Sequence, residues 1–445
     1  MRSHIPWLLV LLAGGGCGPR PPAAGVTIQV AAPGGGDADA APAIQDAIDR
    51  CHAAGGGRVV LSAAAVFTSG PLRLRSGVEL HLARDAVLRV SLDRGLWPAE
   101  GRAYLISAED AENVAITGPG AIDGRGRRLM AELGEHIHKP GPWRPGIVGL
   151  VRCRQVRMSD LVIRDGPHWT VHFIGCDGVL AERLTIRNDR RIPNCDGIDP
   201  DHCRNVVIRD CDIEAGDDCI VVKNTRRYAH LGPSENIRVE NCDLRSTSAA
   251  LKIGTESASD FRDIVFDRCR IRDSSRGLVI QLRDEGDVEN VVFSNMTVET
   301  RLFHEAWWGR AEPIHVSAFE RKAGGRLGRI RNVRFANIVA RAENGVYLSG
   351  CARSRPEDIV FDRVQVTIDK WTAWPGGQHD RRPCTMEELV PHPTAGFFCA
   401  SAEGVTLRNC RVRWSGRPQP HDGATLDVTD VGRFLVEGFA GNARR

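Results

Sequence analysis

A short phrase of alternating apolar and polar residues recurs along most of the chain. It reads CRNVVIRDCDI at 203–213, SENIRVENCDL at 234–244 and FRDIVFDRCRI at 261–271, close to the template N-V-x-V-x-N-C-x-V. Its first apolar position recurs every 23 to 31 residues, and such a period is typical of proteins built from stacked units. The residues at that position are Val156, Val179, Val206, Ile237, Ile264 and Val291.

Each unit of the repeat is predicted to contain short β-strands. Apolar residues alternate with polar ones, as at Val206 and Ile208, and Asn, Asp or Gly separate the runs. One unit cannot bury its own apolar side, so the units must stack. The pattern therefore predicts an all-β protein, a single-stranded right-handed parallel β-helix. Leucine-rich repeats have a shorter period and an L-x-x-L-x-L phrase, and a propeller needs four strands in about 40 residues.

A helix near residues 41–52 is predicted to cover the first coil, because an open solenoid end exposes its core. Asp39 is placed to cap this helix, and Pro42 falls in its first turn. Its apolar stripe consists of Ile44, Ala47 and Ile48.

The start of the chain is predicted to be a secretory signal, residues 1–17. Basic residues precede the apolar run Ile5 to Ala13, which is too short to span a bilayer. Cys17 follows small residues, so this segment also resembles a lipoprotein signal, and a lipid anchor at Cys17 stays open. We expect an exported protein that is periplasmic, lipid-anchored or secreted.

The rest of the chain divides into a linker at 18–24 and one β-helix domain at 25–445. No later segment is apolar for about 18 consecutive residues, so no transmembrane span is predicted. Lys and Arg number 59 against 56 Asp and Glu, without a dense basic run, which argues against nucleic acid as a partner. We expect a monomer.

Cysteine is frequent, with 14 residues. In an exported protein this number suggests disulfides, but several cysteines hold the same position of the repeated phrase, which favours a stack of small buried side chains equally well. No Cys-x-x-Cys pair has the partners of a zinc site, and no metal or cofactor is expected. The cysteines in the phrase are Cys211, Cys242, Cys269 and Cys410.

Three aspartates form the candidate catalytic group. Asp196 lies 21 residues before Asp217, close to one coil, and Asp218 follows directly. Neighbouring rungs of a sheet are about 4.8 Å apart, so the three carboxyl groups are expected to share one cleft. Like charges at that range raise one pKa, which separates an acid from a base. Asp is also a common turn residue, but no turn requires an adjacent pair.

The chain resembles glycoside hydrolase family 28, the polygalacturonases and their relatives, which have the pectin lyase-like solenoid. The resemblance rests on TGPGAIDGRG at 117–126, DGPHWTVH at 165–172, NCDGIDP at 194–200 and GDDCIVVKN at 216–224. It implies inverting hydrolysis of a galacturonate-containing polysaccharide or oligosaccharide without a metal.

The resemblance also implies roles for single residues. Asp217 becomes the general acid, and Asp196 and Asp218 hold the attacking water. Asn194, from the same motif as Asp196, is assigned to substrate binding. Cys195 stands where the family has Thr.

Two further positions depart from the family pattern. Ala249 stands where the family has His, and Leu278 stands where it has Lys after a retained Arg276. Arg276 is expected to bind a uronate carboxylate, since its planar fork suits one, and Lys252 and Arg283 are expected to supply further positive charge. A decorated or chain-end pectic fragment is favoured over the smooth polymer.

The repeat is interrupted at HEAWWGRAEPIH, 304–315, where Trp307 and Trp308 lie in a predicted loop. Their faces can pack on sugars, and we assign both to substrate binding, although one Trp packing the loop onto the solenoid explains the pair as well. A non-catalytic glycan-binding β-helix and a calcium-dependent lyase of the same fold remain alternatives.

Overall fold

The computed structural model describes residues 25–34 and 37–442. The predicted signal, the predicted linker and Cys17 lie outside the described residues. The chain winds into a right-handed parallel β-helix, in which each coil adds a strand to each of three parallel sheets. The predicted fold is confirmed.

Sheet 1 carries the repeated phrase and stacks the following strands in order: Val26–Val30, Gly57–Leu61, Val78–Leu82, Glu112–Thr117, Arg154–Ser159, Asp177–Glu182, Arg204–Arg209, Ser234–Glu240, Phe261–Asp267, Val288–Thr300, Ile330–Ala342, Glu357–Ile368, Phe397–Arg408 and Phe434–Glu437.

Sheet 2 follows sheet 1 in each coil. The strands Val288–Thr300, Ile330–Ala342 and Glu357–Ile368 continue from sheet 1 into it, and its other strands are Val66–Ser69, Val87–Val90, Ala121–Asp123, Val162–Arg164, Thr185–Arg187, Asp212–Ala215, Asp243–Ser246, Arg270–Ser274, Arg411–Trp414 and Ala440–Gly441.

Sheet 3 completes each coil. It shares the strand Phe397–Arg408 with sheet 1, and its other strands are Leu72–Arg73, Tyr104–Glu109, Gly146–Val151, Val171–Ile174, Ile198–Asp201, Ile220–Asn224, Ala249–Ser257, Arg276–Leu282, Ile314–Ala318, Val346–Ser349 and Leu426–Val431.

Loops between the coils hold the remaining elements. Two antiparallel hairpins pair Met130–Glu132 with Lys139–Pro140 and Gln378–Asp380 with Leu389–Pro391. Three short 3₁₀ segments are Arg94–Leu96, Gly126–Leu129 and Arg226–Leu231.

The stacking register follows the apolar positions of the repeat. Val206 pairs with Val179 below and Ile237 above, and the same column continues in both directions. Asn205 and Asn236 turn the chain with φ near +55°, a conformation that Asn tolerates. The Asn236 amide donates to the Asn205 side-chain oxygen at 2.6 Å. Buried apolar columns and Asn ladders thus hold successive coils in register.

The helix Ala41–Ala53 covers the first coil, with Ile44, Ala47 and Ile48 buried as predicted. The prediction of Asp39 as its N-cap is wrong by one residue, because Ala40 holds that position without a side-chain capping bond. The Asp39 carboxylate instead accepts hydrogen bonds from the N–H groups of Ala41 and Gly70, both at 3.0 Å. It ties the helix start to the adjacent coil.

The 13 cysteines of the described residues are all free. Cys211, Cys242, Cys269 and Cys410 are buried at equivalent places of the repeat. Cys211, Cys242 and Cys269 lie on successive coils and form the stack that the sequence offered as the alternative to disulfides, and Cys410 holds the same position further along the solenoid. In residues 25–34 and 37–442 no helix combines the length and apolar character needed to cross a membrane.

Candidate active site

The three aspartates lie at the corner where sheet 2 leads into sheet 3. Asp196 precedes the strand Ile198–Asp201, and the Asp217–Asp218 pair precedes the strand of the next coil. The N–H of Gly197 donates to the carbonyl oxygen of Asp218 at 2.9 Å. All three side chains line one cavity of about 360 Å³. The structure thus brings them together, as their spacing predicts.

Asp218 is held as a carboxylate by donors on the following coil. It accepts hydrogen bonds from the Lys252 ammonium at 2.8 Å, the Ser248 hydroxyl at 2.9 Å and the Ala249 N–H at 3.1 Å. Burial alone would raise the pKa of Asp218, but the charges of Lys252 and Lys223 and these hydrogen bonds outweigh it and lower the pKa. Asp218 is therefore ionised at neutral pH.

Asp217 has a different environment, although it is the adjacent residue. Its carboxyl group is half-buried at the cavity wall and accepts the N–H of Asn194 at 3.1 Å. Burial, followed by the negative charges of Asp196 and Asp218, raises the pKa of Asp217 to about 7. This group holds a proton at mildly acidic pH, as a general acid must.

Asp196 shares a lysine with a fourth carboxylate, Asp199. The Lys223 ammonium lies 2.8 Å from Asp196 Oδ2 and 3.2 Å from Asp199 Oδ1. Burial raises the pKa of Asp196, and the Lys223 charge opposes that rise. Asp196 Oδ1 accepts no hydrogen bond from any residue that the structure describes. One buried oxygen of Asp196 is thus left without a donor, and a water bound beside it could supply the missing hydrogen bond.

Sequence reasoning did not assign Lys223, Asp199 or Trp169, although all three stand in quoted motifs. Lys223 lies 3.9 Å from the centroid of the Trp169 ring, which also lines the cavity. Lys223 could have been found from the alternation of side chains along Ile220–Asn224, which places Val221 and Lys223 on the outer face of sheet 3. The ion pairs that link successive coils could not be read from spacing alone.

Four of the other predicted substrate-binding residues line the cavity: Lys252, Asn194, Trp307 and Trp308. The side chain of Trp308 is 39% exposed, whereas that of Trp307 is 5% exposed. The Trp307 indole N–H donates to the carbonyl oxygen of His136 at 3.0 Å, which joins its loop to the hairpin loop after Glu132. Trp308 is therefore the freer sugar-packing surface, and Trp307 fixes the cavity wall.

Arg276 and Arg283 are placed differently from the prediction. Arg276 is 2% exposed, and its Nε donates to Glu312 at 3.2 Å while Nη2 donates to the Asp380 carbonyl oxygen at 2.5 Å. Arg283 is 1% exposed and donates to the carbonyl oxygens of Arg381 and Pro383. Both guanidinium groups are used inside the protein, so these placements do not support contact with a substrate carboxylate.

Neither Ala249 nor Leu278 brings a charged side chain to the site. The Ala249 N–H bonds Asp218, and Leu278 packs in the core in register with Leu251 and Ile314. On the coil that carries Ala249, Lys252 is the residue that brings a positive charge to the cavity. Among the described residues no cluster of His, Cys, Asp and Glu has the arrangement of a metal site.

The arrangement combines the two groups that acid–base cleavage of a glycosidic bond requires. Asp217 can donate a proton, and the ionised Asp218 and the free oxygen of Asp196 can hold a water. Lys223 and Lys252 limit the repulsion among these carboxylates.

Several known proteins are similar to this chain in sequence. The sequence model of the glycosyl hydrolases family 28 matches residues 56–375. The chain is 32% identical over 244 residues to a probable polygalacturonase of Vitis vinifera, covering 50% of this chain and 49% of the relative. An endo-polygalacturonase of Pectobacterium parmentieri is 24% identical over 349 residues, covering 73% of this chain and 84% of the relative.

Among solved structures, the hyperthermoactive exopolygalacturonase of Thermotoga maritima superposes with a TM-score of 0.67 at 24% identity. The match covers 79% of this chain and 89% of that one. This likeness shows the fold. The chain spans about half the length of the plant relative that it matches.

Proposed function

This chain belongs to glycosyl hydrolases family 28, and we propose that it hydrolyses glycosidic bonds in a galacturonate-containing pectic polysaccharide or oligosaccharide with inversion of configuration. The observation that carries the proposal is the contrast between two adjacent carboxyl groups. Asp217 has a pKa raised to about 7, while Asp218 beside it has a lowered pKa.

The reaction follows from these protonation states. Asp217 gives its proton to the glycosidic oxygen, and the bond from that oxygen to the anomeric carbon breaks. A water held by Asp196 and Asp218 attacks the anomeric carbon from the opposite face and passes a proton to one of these carboxylates. The two products carry the original sugar oxygen and the water oxygen, so all atoms are accounted for.

A lyase of the same fold would need carboxylates that are free to surround a calcium ion. In this cleft, Asp196 and Asp199 contact Lys223, and Asp218 contacts Lys252. Ammonium groups thus occupy the positions where a cation would have to bind. This arrangement favours hydrolysis over calcium-dependent elimination.

The experiment is a reducing-sugar assay of the purified protein on polygalacturonate, on branched pectins and on short oligogalacturonides. Hydrolysis releases reducing ends without the ultraviolet absorbance of an unsaturated sugar. Absorbance that rises with the reducing ends would indicate a lyase. Binding of these glycans without release of reducing ends would favour the glycan-binding alternative.

We further propose that the protein acts after export, as a monomer, and that Cys17 is a site of lipid attachment or lies beside the signal cleavage site. A cell-wall polysaccharide lies outside the cytoplasm, so an enzyme that acts on it must be exported. Cell fractionation with Cys17→Ser as the comparison separates these cases, because a lipid anchor would leave only the unsubstituted protein in the membrane fraction.

A further inference from the structure

The corner that carries the three aspartates continues towards the N-terminal end of the solenoid. Each coil has a residue there that lies two positions before its sheet 3 strand. Trp169 lies one coil before Asp196, Arg144 two coils before and Arg102 three coils before. At about 4.8 Å per rung, these side chains lie within the reach of a short oligosaccharide that is bound over the aspartates.

Trp169 connects this region to the catalytic group. The Arg102 guanidinium carbon lies 4.0 Å from its ring centroid, and Lys223 Nζ lies 3.9 Å from the same centroid. Cations are attracted to an indole ring at such distances. The His172 ring packs nearly perpendicular to the Trp169 ring, with 4.8 Å between the ring centroids and an interplanar angle of 89°. Trp169 therefore fixes Arg102 relative to Lys223 and, through Lys223, relative to Asp196.

His172 is itself held by buried hydrogen bonds. Burial is the main cause of its lowered pKa, so the ring is neutral. Its Nε2–H donates to the Asp201 carboxylate at 3.1 Å, and its Nδ1 accepts the hydroxyl of Tyr104 at 2.7 Å. This network keeps the support under Trp169 rigid.

The two arginines carry charge that no carboxylate of residues 25–34 and 37–442 pairs with at ion-pair distance. Arg102 is exposed, and Arg144 donates to neutral oxygens only, those of Pro167, Pro193 and the Asn194 side chain. Burial, followed by the charges of Arg102, Arg144 and Lys223, lowers the pKa of His168 to about 2. Positive charge thus converges at this end of the cleft.

We propose that Arg102 and Arg144 form a carboxylate-binding subsite for a uronate residue on the N-terminal side of the cleavage point. The proposal rests on the proposed function, since it adds a specificity determinant to the same cleft. Arginine suits this role because its planar fork can donate two hydrogen bonds to one carboxylate. The subsite supplies the recognition that the buried Arg276 and Arg283 do not offer.

The test measures binding of trigalacturonate by calorimetry in an Asp217→Asn background, so that the ligand stays intact. Arg102→Gln is expected to weaken binding by about 10- to 100-fold, the usual effect of losing a charge-assisted hydrogen bond. Arg102→Lys is expected to recover part of that loss, and Arg144→Gln to weaken binding similarly. Added salt should weaken binding less in Arg102→Gln than in the Asp217→Asn parent.

Arg154→Gln is the matched control, because Arg154 is an exposed arginine of sheet 1 that pairs with Glu112. It should bind trigalacturonate as the parent does. Unchanged binding in Arg102→Gln would overturn the subsite even if the wild type releases reducing ends. Arg102-dependent binding without any release would instead overturn the hydrolase and leave the subsite. If trigalacturonate does not bind the Asp217→Asn parent, the subsite is wrong, and the hydrolase proposal is also wrong if no polygalacturonate, branched pectin or oligogalacturonide releases reducing ends.

Discussion

The Lys252 ammonium donates a hydrogen bond to Asp218 at 2.8 Å, whereas the adjacent Asp217 accepts its hydrogen bond from the Asn194 backbone N–H at 3.1 Å. Burial and the negative charges of Asp196 and Asp218 raise the pKa of Asp217, whereas the Lys252 charge outweighs burial at Asp218 and lowers its pKa. Two consecutive residues thereby acquire the opposite protonation states that acid and base roles require.

Replacement of Asp217 by Asn is expected to lower kcat by about 10² to 10⁴, because it removes the proton donor while preserving shape. The measurement is initial rate on a substrate that the wild type accepts, with circular dichroism to verify folding. Near-full turnover in Asp217→Asn would rule out Asp217 as the acid.

Activity is expected to fall as pH rises through about 7. Asp217 must be protonated to act, and burial and neighbouring carboxylates raise its pKa to that value. The positive charge of Lys252 lowers the pKa of Asp217, so Lys252→Met should move the alkaline limb of kcat/KM to higher pH while lowering its maximum. A flat profile between about pH 5 and pH 9 would contradict this assignment.

The first product is expected to have the anomeric configuration opposite to that of the cleaved bond. In the proposed reaction, a water held between Asp196 and Asp218 attacks the anomeric carbon from the face opposite Asp217. Proton NMR during the first minutes of reaction distinguishes the two anomers before they equilibrate. Retention of configuration would require a covalent intermediate and exclude the proposed water.

Substitution of Arg276 is expected to act on stability. Arg276→Ala leaves Glu312 buried without its guanidinium partner, and losing one member of a buried ion pair costs about 3–5 kcal/mol. Denaturant unfolding followed by circular dichroism should show an earlier transition. The double variant Arg276→Met with Glu312→Gln should recover much of the loss, because no buried charge is then left alone. A native transition midpoint in Arg276→Ala would contradict the structural role.

The two neighbouring tryptophans are expected to differ. Trp308→Ala should raise KM by about 2- to 10-fold with little change in stability, since an exposed indole packs on the sugar. Trp307→Ala should lower the melting temperature or loosen the loop, since Trp307 is buried and bonded to His136. Equal effects on KM from both variants would show that burial does not separate their roles.

The fold could be predicted largely from the repeated phrase. Alternation at Val206 and Ile208 and the recurrence of Asn identified strand, turn and stacking direction, because each depends on local chemistry. The N-cap of the first helix was predicted one residue off, although the start of the helix near residue 41 is as predicted. Asp39 is a good N-cap by residue type, but its carboxylate is drawn to the Gly70 N–H on another coil, a contact that sequence separation hides.

The site was predictable where one coil spacing sufficed. Asp196 and the Asp217–Asp218 pair come together because they are one turn of the solenoid apart. Arg276 could not be placed, because its partner Glu312 lies 36 residues ahead, within an inserted loop. Lys223 was missed for a related reason, since its role depends on contacts with Trp169 on one coil and with Asp196 and Asp199 on the next.

The column of buried cysteines has a consequence for handling. Each thiol is enclosed by the coils above and below it, and several donate to backbone oxygens, as Cys211 does to Arg209 at 3.2 Å. Oxidants act on exposed thiolates, so the cysteines of this column are shielded in the folded chain, whereas Cys351 and Cys384 are partly exposed. The unfolded chain has no such shielding. Reductant therefore matters most during renaturation, when the whole column is open to oxidation.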